Sequence, residues 1–273
     1  MSRLDGMSGR EHRFLRVTTA VIAIGVGLFA FQVVGIFLEP KSNTFPGTVA
    51  GYHYATLPLS ELESFMAEAS NSSDEEWLTN AHRVVSDALA HGDAVMLHPA
   101  HSWTLWLAAA FSGDQLMATQ DPQTIASAGS AICSQSARVL QYIASKAGLL
   151  TRFISFDGHV VLEAETEGRW LVVDTDYGIL YPFALEGLVD RTNTTLVRSL
   201  LSERGIESSA INGYLEIIHS GSEVRHPIGE PHEPIPERYE KVSIWLSWII
   251  PVLLVVGGRL GRSFHDKSRL VQG

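Results

Sequence analysis

One cysteine, Cys133, serves the whole 273-residue chain. A lone thiol excludes an internal disulfide and, by itself, a cysteine-built zinc site, which leaves two uses: a small buried hydrophobe or a nucleophile. Basic residues are scarce as well, 20 Lys and Arg against 30 Asp and Glu. A phosphate backbone needs a positive footprint, so no nucleic-acid partner is expected. Metal-ligand spacing is missing: His98 and His101 come nearest, with Pro99 between them and no evident third ligand, and neither a metal nor another cofactor is expected. Internal repeats and low-complexity segments are absent too.

Two long apolar runs are present. Residues 17–38 carry no charge and as a helix would extend roughly 33 Å, enough for a bilayer core. That run exceeds the ~7–15 residues of a signal-peptide core, which favours an anchor. Residues 242–258 form the second run, about 26 Å as a helix, with Trp245 and Trp248 as interfacial anchors and Pro251 as an expected kink. Arg3, Arg10, Arg13 and Arg16 precede the first run, and Arg259, Arg262, Lys267 and Arg269 follow the second. Basic flanks stay on the cytoplasmic side, so the 1–16 and 259–273 ends are both expected there. These flanks carry net charges of +2 and +3 against −10 overall, which leaves −15 on the segment between them. That segment is expected to be an acidic extracytoplasmic domain, large enough to fold without disulfides.

Within it, 39–57 reads as a stalk broken by Pro40, Pro46 and Gly47, and 59–69 as a short helix. Ser73 with Glu76 three residues on makes a capping box. The helix it starts buries Trp77, Ala81, Val84, Val85 and Leu89, and Gly92 is its expected terminal cap. A third helical stretch, 102–111, carries Trp103 and Trp106, and 114–128 reads as a polar connection. Beyond Cys133, Ala137, Leu140, Ile143, Ala144 and Ala147 line one helical face until Gly148. The period then becomes alternating over 150–156, 160–166 and 169–173, with Asp157-Gly158 and Glu167-Gly168 as two-residue turns, an antiparallel meander. Helical patterns return over 183–219. Pro227, Pro231, Pro234 and Pro236 stiffen a linker over 226–241, around which His219, His226 and His232 are expected to be solvated. The fold class is therefore α+β, a domain over 58–225 between two membrane helices.

Cys133 opens its helix, where unsatisfied backbone amides stabilise a thiolate and a nearby imidazolium adds to the effect. A two-residue loop at Glu167-Gly168 pairs Thr166 with Arg169, which sets His159 and Asp174 diagonally on one face of the sheet, within reach of each other. The same register puts Asp176 opposite His159 as a rival for the orienting role. Asp174 is preferred because Tyr177-Gly178 signals that the strand is already turning. A three-residue loop would separate His159 from Asp174 and remove the constellation. With that geometry Cys133 attacks a carbonyl carbon, His159 moves the proton, and Asp174 holds the imidazole tautomer. An oxyanion needs the Cys133 backbone N–H and a side-chain partner, for which Gln115, Gln120, Gln123 and the indoles of Trp103 and Trp106 are candidates.

Four segments then carry a resemblance: Gly129-Ser130-Ala131-Ile132-Cys133, Gly148-Leu149-Leu150-Thr151-Arg152-Phe153, Gly158-His159-Val160-Val161-Leu162-Glu163 and Trp170-Leu171-Val172-Val173-Asp174. Together they resemble the core of the transglutaminase-like superfamily, over about residues 100–182. Ile132 stands where that family often has a glycine or an aromatic residue. The resemblance implies a cysteine-bearing helix packed on a sheet that bears histidine and aspartate, a Cys133, His159 and Asp174 triad, and thiol-dependent amide chemistry by hydrolysis or acyl transfer. Its expected substrate is a peptide or protein of the cell envelope. The alternative, since such domains also occur without activity, is a silent binding or scaffold domain in an envelope assembly.

Overall fold

The computed structural model describes residues 9–38, 55–68 and 73–272. Most of the expected 39–57 stalk lies outside the described residues. Helix α1 (Gly9–Gly35) is followed by α2 (Leu59–Ala67), α3 (Asp74–Ala88), strand β1 (Ala90–His91), α4 (Trp103–Ser112), α5 (Pro122–Ala128), β2 (Ser130–Ala131) and α6 (Cys133–Lys146). Strands β3 (Thr151–Phe156), β4 (His159–Thr166), β5 (Arg169–Asp174) and β6 (Ile179–Leu180) come next. Then follow α7 (Leu185–Val189), α8 (Thr194–Glu203), α9 (Ser208–Ile218), β7 (Val224–Arg225) and α10 (Pro234–Gln272). The chain divides into two units, one of residues 1–39, 98–117 and 239–273, the other of 40–97 and 118–238.

Two helices are long and apolar enough to cross a membrane, over His12–Gly35 and Pro236–His265, and the first unit holds the former and residues 239–265 of the latter. Phe14 meets His265, and Phe29 meets Trp248. Early residues of α1 thus face late residues of α10, and the two run antiparallel. They approach at backbone distance: a Cβ on Gly25 would lie 2.9 Å from the Pro251 carbonyl, and one on Gly258 would lie 2.6 Å from the Ile22 side chain. Small residues at such a seam let apolar helices pack closely. Helix α10 begins at Pro234 and passes through Pro251, so the second half of the expected 226–241 linker is helical. Proline at a helix start loses only an amide that has no intrahelical partner, which explains why Pro234 does not delay the helix.

The 98–117 segment is grouped with this unit as well. Ser102 caps α4, accepting from the Leu105 amide at 3.2 Å. Thr104 Oγ1 donates to the Ser243 carbonyl at 2.7 Å, and the Trp103 indole donates to the Ser247 carbonyl at 3.1 Å. On the other side Gln32 donates to the His101 carbonyl. Polar side chains here serve helix association, and the apolar face of α4 leaves Trp106, Leu107 and Phe111 exposed.

The second unit is built on a sheet of order β6-β5-β4-β3-β7, antiparallel throughout. Thr166 pairs with Arg169 as expected. Glu167 and Gly168 both take positive φ, 51° and 78°, the requirement of a type I′ hairpin turn. Both faces of the sheet are covered, so β4 is buried along almost its whole length rather than on alternate residues. Phe153, Leu162, Leu171 and Val173 pack on the buried face of α6 and on α3. Ile154, Val161 and Val172 pack on α7, α8 and α9. Glu163 is fully buried, and its carboxylate takes Arg152 Nε at 2.7 Å and the Leu185 amide at 2.7 Å, tying α7 to the sheet.

Three local expectations change here. Helix α3 stops at Ala88, and the chain enters β1, which pairs in parallel with β2, so Gly92 is not its cap. The 114–128 connection contains α5, with the Asp121 carboxylate accepting from the Thr124 amide at 2.8 Å and Pro122 in the first turn, a strong helix start. Third, His226 and His232 are packed rather than solvated. Their Nε2 atoms meet Ser155 Oγ at 2.6 and 2.8 Å. Burial lowers the pKa of His226, and burial with the His226 charge pushes His232 down to about 4.

Candidate active site

Helix α6 places the thiol. At its far end Gly148, at φ 84°, closes a Schellman motif in which the Leu149 amide bonds the Ala144 carbonyl and the Gly148 amide the Ser145 carbonyl. At its start Ile132 is the N-cap and offers no capping side chain. The first-turn amides therefore keep their positive end directed at Cys133, which is half-buried. Gln135, two residues on and fully buried, holds this turn in place: its side chain accepts from the Val95 amide at 2.8 Å and donates to the Val95 and Thr119 carbonyls.

The start of β4 carries the base, and the end of β5 the carboxylate that holds it. His159 Nε2 meets Asp174 Oδ2 at 2.8 Å, the diagonal contact the hairpin register requires. Asp174 has no exposed surface. Its Oδ1 accepts the Asp176 and Tyr177 amides at 3.1 Å each. Tyr214 also donates to this carboxylate, and Tyr181 donates in turn to the Tyr214 hydroxyl at 3.0 Å. The buried carboxylate thus has its hydrogen-bonding capacity met by the donors around it. The Cys133 thiol lies within hydrogen-bonding reach of the His159 ring. Tyr177 and Tyr214 stand edge-on to the imidazole, ring centres 5.5 Å away in each case.

Burial opposes charging the His159 ring, but the Asp174 charge and hydrogen bond, with smaller contributions from Cys133, outweigh it. The pKa stands well above the ordinary histidine value. An imidazolium at neutral pH beside a cysteine is the electrostatic setting in which a thiolate persists.

Asp176, the rival for the orienting role, serves a different imidazole: its Oδ1 lies 2.6 Å from His91 Nδ1. The strand turns after Asp174, as Tyr177-Gly178 signals, and Gly178 takes φ 66°. Residues 174–176 therefore distribute three contacts. Asp174 holds His159, Thr175 Oγ1 meets Ser136 Oγ at 2.8 Å on the first turn of α6, and Asp176 holds His91.

The side-chain oxyanion candidates fare differently. Trp103 is bonded to Ser247 in the other unit, and Trp106, half-exposed, belongs to that unit as well. Gln123 is exposed and lines a cavity of about 300 Å³ with Met66, Ala126 and Lys146. Lys146 ends α6, roughly 20 Å along the axis from Cys133. Gln120 is buried, with its carbonyl accepting from Arg138 Nε at 3.4 Å. The Gln115 side chain lies outside the described residues. The ring nitrogens of His98 and His101 are turned to backbone: Ala100 N–H to His98 Nδ1, His98 N–H to His101 Nδ1, and His101 Nε2 to the Leu38 carbonyl. Among the described residues no group of three or more His, Cys, Asp and Glu is arranged to hold a metal ion.

His91, Tyr177 and Tyr214 are parts of the site that the sequence pattern does not mark. His91 lies on a two-residue strand, and Tyr214 reaches Asp174 from α9, 40 positions along the chain. No protein-family model matches the chain, and neither a curated protein nor a solved structure matches it.

Proposed function

We propose that this chain is a membrane-anchored thiol enzyme of transglutaminase-like type that opens an amide of a peptide or protein of the cell envelope. The observation that carries this reading is the line Asp174, His159, Cys133: a saturated buried carboxylate, an imidazole held charged by it, and a thiol within reach of that imidazole at a helix start. The Cys133 sulfur attacks the amide carbonyl, and the Cys133 and Ser134 amides at the start of α6 receive the developing oxyanion. His159 then delivers its proton to the leaving amine, which leaves an acyl thioester on Cys133. Asp174 keeps the ring oriented and its charge compensated through both stages.

A silent scaffold has no need for a buried His and Asp pair beside a half-exposed thiol, since a buried ion pair contributes little net stability compared with apolar packing. Two antiparallel apolar helices and the arginine-rich flanks support anchoring with both termini on the cytoplasmic side, and hence a site on the outer face. Intact-mass spectrometry tests the chemistry. The full chain in detergent is mixed with short glutamine, asparagine and peptide amides and quenched in acid. An acyl adduct on Cys133, lost in His159→Ala, is expected. Absence of any adduct from the wild type, with Cys133 still open to alkylation, contradicts the reading.

A further inference from the structure

Residues 98–117 form an excursion that starts and ends at one place: Met96 pairs with Ala118, and the Thr119 amide bonds the Val95 carbonyl at 3.0 Å. Between these points the chain forms α4 and joins the unit of the two long helices. Three contacts fix α4 there. Gln32 of α1 donates to the His101 carbonyl, Thr104 Oγ1 to the Ser243 carbonyl, and the Trp103 indole to the Ser247 carbonyl. Gln32 lies in the last turn of α1, and Ser247 lies five residues into the apolar run of α10. Both are about 8 Å inside the end of their apolar run. The helix is therefore fastened within the apolar stretch of the pair, by hydroxyl and amide contacts of the kind that join helices in lipid.

No residue of α4 carries a charge. Both of its hydroxyls are engaged, Thr104 on α10 and Ser112 on the Ala108 carbonyl of its own helix at 2.8 Å. Leu105 and Ala109 form its buried face, and Trp106, Leu107, Ala110 and Phe111 form the opposite one, with Phe111 87% exposed. A helix that is apolar all round belongs in a protein interior or in lipid, and the exposure of this stripe excludes the first. The apolar surface continues onto α10, where Trp245, Leu246 and Ile249 flank Ser247 and are exposed as well. We propose that α4 is a third membrane-embedded element, its Trp106, Leu107 and Phe111 face covered by acyl chains of the leaflet in which α1 ends and α10 begins its apolar run. This rests on α1 and α10 spanning the bilayer. Ten residues extend roughly 15 Å, half a hydrocarbon core, so the helix enters one leaflet without crossing. Its ends are closed for that setting: Ser102 accepts the Leu105 amide, and the Gly113 amide bonds the Ala109 carbonyl at 2.8 Å. The half-exposed indole of Trp106 suits the boundary between headgroups and chains.

Depth-resolved electron paramagnetic resonance tests this in the full chain, reconstituted in nanodiscs of phosphatidylcholine and phosphatidylglycerol. With Cys133→Ser removing the native thiol, a nitroxide is attached at one site at a time through Leu107→Cys, Phe111→Cys, Leu253→Cys or Ser209→Cys. Leu253 is exposed in the second apolar run, and Ser209 is exposed on α9. Collision with oxygen, which concentrates among acyl chains, is compared with collision with a water-soluble nickel chelate. Labels at 107 and 111 are expected to match the label at 253, with an oxygen-to-nickel ratio several-fold above that at 209. Ratios at 107 and 111 that match 209, with 253 still embedded, overturn the proposal and leave the spanning helices standing. Shielding of 107 and 111 from both reagents, the mark of a protein neighbour, overturns it too, and dipolar broadening would identify that neighbour as a second copy. A label at 253 as open to the nickel chelate as the one at 209 overturns the spanning reading itself, and this proposal with it.

Discussion

His159 and His232 are both imidazoles drawn out of water against strands of the same sheet, and their proton affinities are pushed in opposite directions. At His232 burial acts almost unopposed. Its neighbours are the Ser155 hydroxyl and the His226 ring, whose charge adds to the effect, and the pKa falls to about 4. At His159 burial is deeper, yet the pKa stands well above the ordinary value because Asp174 sits 2.8 Å from Nε2. Desolvation penalises the charged ring in both places, and a single saturated carboxylate reverses the outcome in one of them. The difference between the two imidazoles is therefore one buried carboxylate and the backbone donors around it.

Removing that carboxylate should have the largest effect. Asp174→Ala leaves a buried imidazole without its counter-ion and should cost about 3–5 kcal/mol in denaturant titration. The His159 ring signal, followed by NMR, should then titrate below the ordinary histidine range, as His232 does. A ring that still titrates high would mean that something other than Asp174 sets its charge.

Less drastic is Tyr214→Phe, which deletes one donor to the carboxylate and keeps the ring packing. Loss of a hydrogen bond to a charged group should cost about 1.5–3 kcal/mol. The pKa of His159 should rise further, because a carboxylate with fewer donors holds an imidazolium more strongly. A fall would contradict that reading of the Tyr214 contact.

The two histidines should also bend the pH dependence of stability in opposite senses. Unfolded, His232 takes up a proton near pH 6.5, but folded only near about 4. Between those values the unfolded chain binds more protons, so this residue makes stability rise with pH, and His232→Phe should flatten that rise. For His159 the folded value is the higher one. Its contribution is fully present below pH 6.5 and is lost as pH climbs through the folded pKa. Unfolding midpoints measured across pH in wild type, His232→Phe and Asp174→Ala separate the two slopes. Smallest of all, Ser155→Ala should cost about 1 kcal/mol and leave the His159 titration where it was. Movement of His159 would show that the two sites are coupled through β3 and β4.

Much of this arrangement was legible in the chain because it rests on local patterns. The α6 face ending at Gly148 has helical spacing, and Glu167-Gly168 has the chemistry of a type I′ turn, so the register that joins His159 to Asp174 follows from the residues themselves. What was not legible has no local signature. Strands β1 and β2 are two residues each, too short to carry a period, and with them His91 stayed hidden. The exchange of partners by Asp174 and Asp176 depends on a turn whose exact course is set by Thr175 against Ser136. Tyr214 arrives from α9 through tertiary packing. The prolines at 231, 234 and 236 read as linker, yet β7 and His232 are fastened to β3 and α10 starts among them. The apolar helix at 103–112 reads like any core helix, and its grouping with the terminal helices comes from hydroxyl contacts to Ser243 and Ser247.

Whether Cys133 is the nucleophile and His159 its proton partner is tested most directly by the rate at which iodoacetamide labels Cys133 in the full chain at neutral pH. Labelling in the wild type should run about tenfold or more faster than that of a free cysteine peptide and fall to the peptide's rate in His159→Ala. A wild-type rate equal to the peptide's, unchanged by His159→Ala, would contradict the nucleophile reading.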